Sequence, residues 1–299
     1  MELHRMAGRG EVRGKRAIAG IGGIYIALDT SVNCLYYITV GGNPMPPPAF
    51  QLRELFHLTL LRHLGARLSG RSYAVKGGIC LRFFHRSARL SEDMDLDIVS
   101  NVRPETLRNA VDSVLGGQAL LSSLMPARVL RLTATKPKQT DTTQRWKVSL
   151  HLAGGESLPT RLEFSRRKDH IEFAAGVPDA ELLRRHRLPP FAARFYPAPA
   201  MAAQKVAALA APARNALRDL FDLHHLFFTL GVKPEDVAGE IAQSTVSAAA
   251  AKVAGFAFRD FKEQVLPYLS EGLIGLYQDS AAFERQKDEV ERVLIGMLK

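Results

Sequence analysis

The most distinctive pattern in the chain is a change of hydrophobic period between residues 73 and 98. Residues 73–76 (YAVK) form a short apolar run that ends at Gly77 and Gly78, which predicts a strand followed by a sharp turn. Residues 79–85 (ICLRFFH) have the apolar density of a helix that packs on a sheet. Three carboxylates then alternate with three apolar residues at the two-residue period of a strand: Asp93, Asp95 and Asp97 with Met94, Leu96 and Ile98. The pattern therefore predicts three carboxylates on one face of one strand.

The rest of the chain predicts further strands and then a run of helices. Apolar residues recur every four positions from Leu52 to Leu68, which predicts a helix over residues 50–70. A second helix is predicted over residues 104–115. Strands are predicted over residues 127–135, 146–152 and 160–165, with a polar loop over 136–144. Proline, glycine and apolar spacing predict helices over residues 197–211, 215–230, 234–254, 259–269 and 281–298.

These elements predict an α/β fold with two folded regions. A mixed-sheet core is expected over residues 49–188, and an α-helical C-terminal domain over 189–299. Residues 1–48 are predicted to be an N-terminal extension of uncertain structure, either natural or produced by a start codon placed too early. Its apolar run is interrupted by Asp29 and Asn33 before the roughly 20 residues that a membrane span needs. We therefore expect no membrane segment.

Composition narrows the class of protein. The 299 residues are 46% hydrophobic, which is typical of a globular chain. Lys and Arg total 40 against 30 for Asp and Glu, so the formal net charge is +10. A basic body around an acidic strand suits a polyanionic substrate, although a generic basic surface is the alternative. Two basic clusters, at residues 166–168 and 184–187, could contact a nucleic-acid backbone. With only Cys34 and Cys80, no disulfide framework or cysteine zinc site is available, which favours a reducing cytoplasm.

The acidic strand and the glycine turn suggest phosphate chemistry. Like charges one pleat apart repel, so aligned carboxylates in front of buried apolar residues favour a bound cation. Carboxylate oxygens together with substrate phosphates are typical ligands of Mg²⁺. The turn from Lys76 into Gly77 and Gly78 presents backbone N–H groups at the start of a helix, which suits phosphate oxygens. The alternative is a solvated acidic turn, which the glycine turn makes the weaker interpretation.

Residues close to this strand, and one on a later strand, extend the candidate site. Arg89 and Ser91 precede Asp93, and their side chains suit phosphate oxygens, although a surface arginine and a turn serine are the alternative. Residues 160–165 (TRLEFS) place Glu163 on a strand face, as a third carboxylate or as an ion-pair partner of a neighbouring arginine. The alternative partners are Arg161 and Arg166. A D…ExK metal nuclease loses support because position 165 is Ser rather than Lys.

The order of these motifs resembles a known family. The glycine pair, the helix and RLSEDMDLD, followed by LEFSRR, QKVAALAAPAR and RDLFDLHHL, are similar to the AbiEii and MenT nucleotidyltransferase toxins. These belong to type IV toxin–antitoxin and abortive-infection systems within the polymerase-beta-like superfamily. The resemblance covers residues 52–230. It implies transfer of a nucleoside monophosphate from a nucleoside triphosphate (NTP), with Mg²⁺ or Mn²⁺ as cofactor, to an acceptor expected to be the 3′ end of tRNA. It also implies a cytoplasmic toxin with an antitoxin protein as partner.

The resemblance assigns roles to residues. The metal ligands would be Asp93, Asp95 and Glu163. The catalytic residues would be these three together with Lys205 and Asp219. The nucleotide-binding residues would be Lys76, Gly77, Gly78, Arg89, Ser91 and Lys205. As alternatives, Lys205 would be a solvated helix residue, and Asp219 and Asp222 would pair with Arg214 and Arg218, with Asp222 the more structural of the two.

Two other functions fit the same residues. One is a nucleotidyltransferase with a protein or small-molecule acceptor, which would put labelled nucleotide into something other than RNA. The other is a catalytically silent nucleotide-binding regulatory protein, which would bind the triphosphate and release no pyrophosphate. The intact acidic set argues against the silent protein.

Overall fold

The computed structural model describes residues 15–21, 24–29, 34–39, 49–166, 173–212, 217–277 and 279–298. The chain divides into two compact units, Met1–Pro47 and Pro48–Lys299. The described part of the smaller unit is an antiparallel sheet in the order β1-β2-β3, formed by β1 (Lys15–Ile21), β2 (Ile24–Asp29) and β3 (Cys34–Thr39). The sequence pattern assigned no structure to this segment.

The larger unit is built on a mixed sheet of seven strands. The strands are β4 (Tyr73–Lys76), β5 (Asp93–Ile98), β6 (Val129–Gln139), β7 (Thr143–Leu152), β8 (Ser157–Arg166), β9 (Ala174–Gly176) and β10 (Ala193–Phe195). Their order is β6-β7-β8-β5-β4-β10-β9. The acidic strand β5 is central, because it pairs parallel with β8 on one side and antiparallel with β4 on the other.

Helices surround this sheet and continue beyond it. Those within the sheet region are α1 (Ala49–Arg67), α2 (Gly77–Phe84), α3 (Pro104–Leu115), α4 (Gln118–Leu124) and α5 (Ala180–Arg185). Those that follow β10 are α6 (Ala198–Ala210), α7 (Arg218–His224), α8 (Glu235–Ala238), α9 (Gln243–Ala254), α10 (Phe258–Gln264), α11 (Glu271–Ile274) and α12 (Ala281–Gly296). The mixed sheet followed by helices confirms the predicted α/β class.

The core explains why the acidic strand has two different faces. Met94 and Leu96 are fully buried, and Ile98 is almost so. Aromatic rings pack nearby, where Phe164 lies edge-on to Tyr73 and to Trp146 at centroid distances of 6.5 and 5.9 Å. Burying three large apolar side chains stabilises the fold by roughly 1.5–3 kcal/mol each. This burial fixes the orientation of β5, because a shift of one residue would reverse its faces.

Several element boundaries differ from the sequence predictions. The predicted polar loop over residues 136–144 is mostly strand, because Thr140 and Thr143 close a tight turn with a 2.9 Å backbone hydrogen bond. The predicted helix over residues 234–254 is broken between α8 and α9, where Gly239 ends the first of them. The predicted helix over residues 259–269 ends at Gln264 and is followed by a 3₁₀ turn, Leu266–Tyr268, since Pro267 cannot donate an α-helical hydrogen bond.

The sequence did not predict three short elements, and one of them, β10, concerns the predicted domain boundary near residue 189. Strands β9 and β10 and helix α5 have only three to six residues each. Strand β10 lies beyond residue 189 and pairs parallel with β4, so the C-terminal part of the chain contributes to the sheet. The boundary near residue 189 stays a prediction. No helix in the described ranges is both long and apolar enough to cross a bilayer.

A buried histidine makes the stability of this fold depend on pH. His57 on α1 is 1% exposed, and its Nε2 lies 2.7 Å from the Thr160 hydroxyl. That hydroxyl donates to the Glu92 carbonyl at 2.7 Å, so His57 Nε2–H must donate to the hydroxyl. Burial, followed by the charge of Arg53, lowers the pKa of His57 from 6.5 to about 3, so the folded protein holds the ring neutral at pH 7.

We expect the free energy of unfolding to fall as the pH drops below 6.5. The unfolded chain protonates His57 at about pH 6.5, whereas the folded chain resists protonation down to about pH 3. Between these two pH values, His57 therefore lowers the free energy of unfolding by about 1.4 kcal/mol for each unit that the pH falls. Urea denaturation at pH 7, 6 and 5 should show a shallower loss in His57→Gln, which keeps a donor and does not titrate. Equal slopes in both proteins would contradict this account.

Candidate functional site

The register of the sheet brings carboxylates from two strands together. Asp95 on β5 lies opposite Glu163 on β8, and Asp93 lies opposite Arg161. Directly paired residues project from the same face of a sheet, so Asp93, Asp95 and Glu163 share one face. On the other side of β5, Lys76 at the end of β4 lies opposite Asp95. Three carboxylates and several basic side chains thus meet where β4 enters α2.

Asp95 is the least compensated of these carboxylates. Its pKa is raised, first because burial disfavours the charged form and then because Asp93 and Glu163 are also negative. The charges of Arg161 and Lys76 oppose this rise without reversing it. No hydrogen bond or ion pair joins the Asp95 carboxylate to any other residue that the structure describes. A desolvated carboxylate in this state favours an added cation.

The other two carboxylates are held by arginines. Arg161 Nη2 lies 2.7 Å from Asp93 Oδ2, and Arg145 Nη2 lies 2.6 Å from Glu163 Oε2. Burial raises the pKa of Asp93, and the charge of Arg161 partly offsets this rise. Glu163 is therefore ion-paired, as the alternative interpretation expected, but its partner is Arg145 rather than Arg161 or Arg166. Glu163 can act on a metal or a proton only after this pair opens.

The donor set fits a hard divalent cation in part. No group of three His, Cys, Asp or Glu side chains in the described segments is arranged to hold a metal ion. Asp93 and Asp95 supply two carboxylates on one strand face, which is the number that Mg²⁺ commonly takes from a protein when phosphates and water complete its shell. Glu163 faces the same way while bound to Arg145. The residues present therefore fit a metal that arrives with a phosphate substrate.

The glycine turn makes room next to Asp95. Gly77 opens α2 with a φ of 68°, a left-handed conformation that other residues adopt only with strain. A Cβ at Gly77 would lie 3.0 Å from Asp95 Oδ2, and one at Gly78 would lie 2.9 Å from Arg89 Nη2 and 3.1 Å from Ser91 Oγ. Gly77 thus lets the backbone approach a predicted metal ligand, and Gly78 lets it approach two residues predicted to bind phosphate. Ser91 itself donates to the Asp93 carbonyl at 3.1 Å.

Asp97 has a different environment from Asp93 and Asp95, although all three follow the same period. It is 1% exposed, and Lys76 Nζ and the Tyr196 hydroxyl each donate to it at 2.5 Å. Lys76 also donates to Ser165 at 3.0 Å. Lys76, which the resemblance assigns to nucleotide binding, is therefore committed to a buried carboxylate. Its charge acts on Asp95 across the paired strands without a direct bond.

Lys205, Arg89 and two aspartates form a buried charge network. Lys205 Nζ lies 2.7 Å from Asp219 Oδ1 and 2.6 Å from Asp222 Oδ2. Arg89 binds Asp222 with both ends of its guanidinium, at 2.9 and 2.7 Å. Burial opposes the charge on Asp222, but Arg89 and Lys205 together hold the pKa of its carboxyl well below the usual range. The same carboxylates raise the pKa of Lys205 against its own burial.

This network rules out the solvated alternative for Lys205, and the pairing of Asp219 with Arg214 stays a prediction. Lys205 is 7% exposed, so it is not a solvated helix residue. The described partners of Asp219 and Asp222 are Lys205 and Arg89 rather than Arg218, and Arg214 lies outside the described residues. Asp222 contacts both cations, in agreement with the structural role expected for it.

Four residues at the site were not among the predicted site residues, although Arg161 and Arg218 were considered as ion-pair partners. Arg145 and Arg161 hold carboxylates, and Arg218 and Tyr268 lie beside the loop that leads into β5. The position of Arg161 could have been predicted from the sequence, because it precedes Glu163 by two residues on the same strand face. Arg145 depends on the pairing of β7 with β8, and Tyr268 lies far along the chain in a 3₁₀ turn, so neither carries a local signal.

The described residues of the two basic clusters, 166–168 and 184–187, form no hydrogen bond or ion pair with the predicted metal ligands of this site. Arg166 donates to Gln144 Oε1 at 2.9 Å, while residues 167 and 168 lie outside the described residues. Arg184 and Arg185 are exposed in the last turn of α5. Their contact with nucleic acid stays a prediction.

Comparison with known proteins points to one family. A family model described as the nucleotidyl transferase AbiEii toxin of a type IV toxin–antitoxin system matches residues 59–291. Among curated proteins, none matches the sequence. The solved structure of MenT4, a nucleotidyltransferase toxin from Mycobacterium tuberculosis H37Rv, is similar with a TM-score of 0.54 and 14% identity, over 84% of this chain and 94% of that one. JHP933 from Helicobacter pylori is similar with a TM-score of 0.50 and 19% identity, over 82% of this chain and 91% of that one. The structural likenesses support the fold.

The buried network predicts a large stability difference between two nearby arginines. Arg89→Gln would leave Asp222 with one cation instead of two in a buried site, and we expect the free energy of unfolding to fall by about 3–5 kcal/mol. Arg86→Gln is the matched control, because its 2.8 Å pair with Asp179 involves an arginine side chain that is 80% exposed. That change should cost less than about 1 kcal/mol. Urea denaturation at pH 7 measures both, and similar losses would show that the network is not a stabilising unit.

Proposed function

The chain belongs to the AbiEii family of nucleotidyl transferase toxins from type IV toxin–antitoxin systems, and from this premise we propose its reaction. It transfers a nucleoside monophosphate from an NTP to the 3′ end of tRNA in a reaction that depends on Mg²⁺ or Mn²⁺. The family implies an NTP substrate and an antitoxin partner. Loss of usable tRNA would stop translation in the cytoplasm, where we place the protein because both substrates are found there.

The observation that carries this proposal is the Asp95 carboxylate, which is desolvated, lacks a bonded partner among the described residues and lies against a glycine turn. Asp93 and Asp95 would hold the metal, which would neutralise charge on the transferring phosphoryl group. Gly77 and Gly78 leave space for a triphosphate to approach the backbone. Arg89 and Ser91 lie against Gly78, where they can donate to phosphate oxygens.

The buried network serves this arrangement by fixing Arg89. Lys205 and Asp222 meet Arg89 in a site closed to water, so the guanidinium is held in place before the nucleotide binds. Lys205 and Asp219 thus contribute to the electrostatics of the phosphate site through this buried network, without contacting the phosphate. Lys76 does the same from β4, because its charge acts on Asp95 while its ammonium holds Asp97.

The transfer step balances with the residues present. The acceptor 3′-hydroxyl oxygen forms a bond to the α-phosphorus, the bond from that phosphorus to the bridging oxygen breaks, and pyrophosphate leaves. Glu163 would accept the hydroxyl proton once its pair with Arg145 has opened. If Glu163 joined the metal ligands instead, the proton would pass to solvent water. The freed Arg145 is then available to a phosphate.

The direct test incubates the protein with total RNA and each α-labelled NTP in turn. Label in the tRNA band with one or more nucleotides, together with released pyrophosphate, is expected. Label in a protein or in a small molecule would show that the protein transfers nucleotides but that tRNA is not the acceptor. Binding of NTP without pyrophosphate release, across all acceptors supplied, would mean that the protein is a silent nucleotide-binding regulator.

Replacing either metal carboxylate should abolish transfer without weakening the fold. Asp95→Asn and Asp93→Asn should each lower the transfer rate by on the order of 10² or more, and the double variant should be scarcely worse. Because Asp95 is a half-buried carboxylate with no bonded partner among the described residues, Asp95→Asn should be as stable as the wild type or more stable. Asp288→Asn, at an exposed position on α12, serves as control. An Asp95→Asn protein that keeps near-wild-type transfer at saturating Mg²⁺ would contradict the assignment.

The glycine turn gives a second prediction. Gly77→Ala should cost about 1–2 kcal/mol of stability, because φ is 68° there, and should also displace the Asp95 carboxylate. Transfer should therefore fall by much more than the small loss of folded protein explains. Gly70→Ala is the control, since a Cβ there meets nothing within 4 Å. Thermal melts and initial rates measure the two effects, and equal rates in both variants would refute the role of the turn.

A further inference from the structure

The basic side chains around the acidic face are almost all committed to carboxylates. The ion pairs are Lys76 with Asp97, Arg53 with Glu92, Arg89 with Asp222, Arg145 with Glu163, Arg161 with Asp93, and Lys205 with Asp219 and Asp222. Arg218, the first residue of α7, differs from them. It is exposed, and it forms no ion pair with any carboxylate in the described part of the chain.

An aromatic residue holds Arg218 next to the site. The Arg218 guanidinium lies over the Tyr268 ring, 5.1 Å from its centroid. The Tyr268 hydroxyl donates to Glu92 Oε2 at 3.0 Å, and the Tyr268 carbonyl accepts from the Leu90 N–H at 2.8 Å. Residues 90–92 lead directly into Asp93, so Tyr268 is anchored at both ends of the loop before the first metal carboxylate.

These contacts hold the charge of Arg218 near the loop that leads into Asp93. A guanidinium that stacks on a ring keeps its N–H groups in its own plane, where they remain free to donate to a planar or tetrahedral anion. Arginine in this state is well suited to phosphate oxygens, which it binds with two parallel hydrogen bonds.

We infer that Arg218 binds a phosphate group of a substrate beside Asp93, and that the Tyr268 ring positions it. This inference rests on the proposed function, because the phosphate belongs either to the NTP or to the terminal phosphodiester of the acceptor. Arg218 contacts the substrate, whereas Tyr268 acts through Arg218. The inference gives the helical C-terminal part of the chain a direct contact with substrate.

Binding measurements test this without relying on transfer. Calorimetry gives the affinity for each NTP, and fluorescence anisotropy gives the affinity for a labelled oligonucleotide that carries a tRNA 3′ end. Arg218→Gln should weaken one of these affinities by about tenfold or more, which corresponds to about 1.4 kcal/mol. Arg218→Lys should restore part of the loss, since it keeps the charge and loses the paired donors. The affected ligand identifies the source of the phosphate.

Controls separate binding from folding. Arg285→Gln, at an exposed position on α12, should leave both affinities unchanged, and Arg218→Gln should keep the wild-type melting temperature because its side chain is exposed. Tyr268→Phe keeps the ring and loses the bond to Glu92, so its affinities should be close to wild type. Tyr268→Leu removes the stacking surface and should give an intermediate loss.

The outcomes distinguish this inference from the proposed function. If both affinities of Arg218→Gln stay within twofold of wild type, the inference is overturned, whether or not the protein transfers nucleotides. If one affinity falls while the wild type transfers no nucleotide to any acceptor, Arg218 binds phosphate and the proposed function fails. If Tyr268→Phe weakens binding as much as Tyr268→Leu, the hydroxyl rather than the ring is responsible, and the positioning role is overturned.

Discussion

The site depends on the parallel pairing of β5 with β8, which aligns carboxylates that repel one another. Asp95 lies opposite Glu163, and Asp93 lies one pleat away on the same face. The apolar residues behind β5 are fully buried, so the strand cannot turn its acidic face elsewhere without losing core packing. Other side chains or ligands must therefore compensate the charges of these carboxylates on this face of the sheet. Arg161 and Arg145 compensate two of them, and the third, Asp95, has no bonded partner among the residues that the structure describes.

The charges near the site fall into two groups with different physical roles. Lys205, Arg89 and their aspartates are removed from water and paired to one another, so they fix geometry, and loss of one partner leaves a buried charge uncompensated. The pairs of Arg161 and Arg145 are partly exposed, with arginine side chains that are 38% and 33% exposed. Such pairs are weak in water and can exchange a carboxylate for a phosphate at little cost. In the proposed reaction the buried network holds the site in place, and the partly exposed pairs are the ones that would open for substrate.

Sequence reasoning found the acidic strand because its information is local. The period of Asp93, Asp95 and Asp97 and the glycine pair at the start of α2 are both visible within about 25 residues. The period could not show that Asp97 would pair with Lys76 and accept a hydrogen bond from Tyr196, because Tyr196 follows a three-residue strand about 100 residues later.

Contacts between residues far apart in the sequence account for the other differences between the predicted site and the structure. The partner of Glu163 is Arg145, and only the register between β7 and β8 identifies it. Tyr268 reaches the site through a 3₁₀ turn whose sequence predicts a helix. Lys205 and Asp219 were found through a family resemblance, since a lysine in an alanine-rich helix has no local feature that predicts burial between two carboxylates. Local pattern therefore predicted the acidic face, and tertiary contacts decided how each charge on it is satisfied.

The central claim is that Asp93 and Asp95 hold a divalent metal together with a triphosphate. Electron paramagnetic resonance of Mn²⁺, titrated into the protein with a non-hydrolysable NTP analogue, measures this directly. The wild type should bind Mn²⁺ much more tightly with the analogue than without it, and Asp95→Asn should lose most of that gain, while the exposed control Asp288→Asn should retain it. Equal Mn²⁺ affinity in the wild type and in Asp95→Asn, with the analogue bound, would contradict the account.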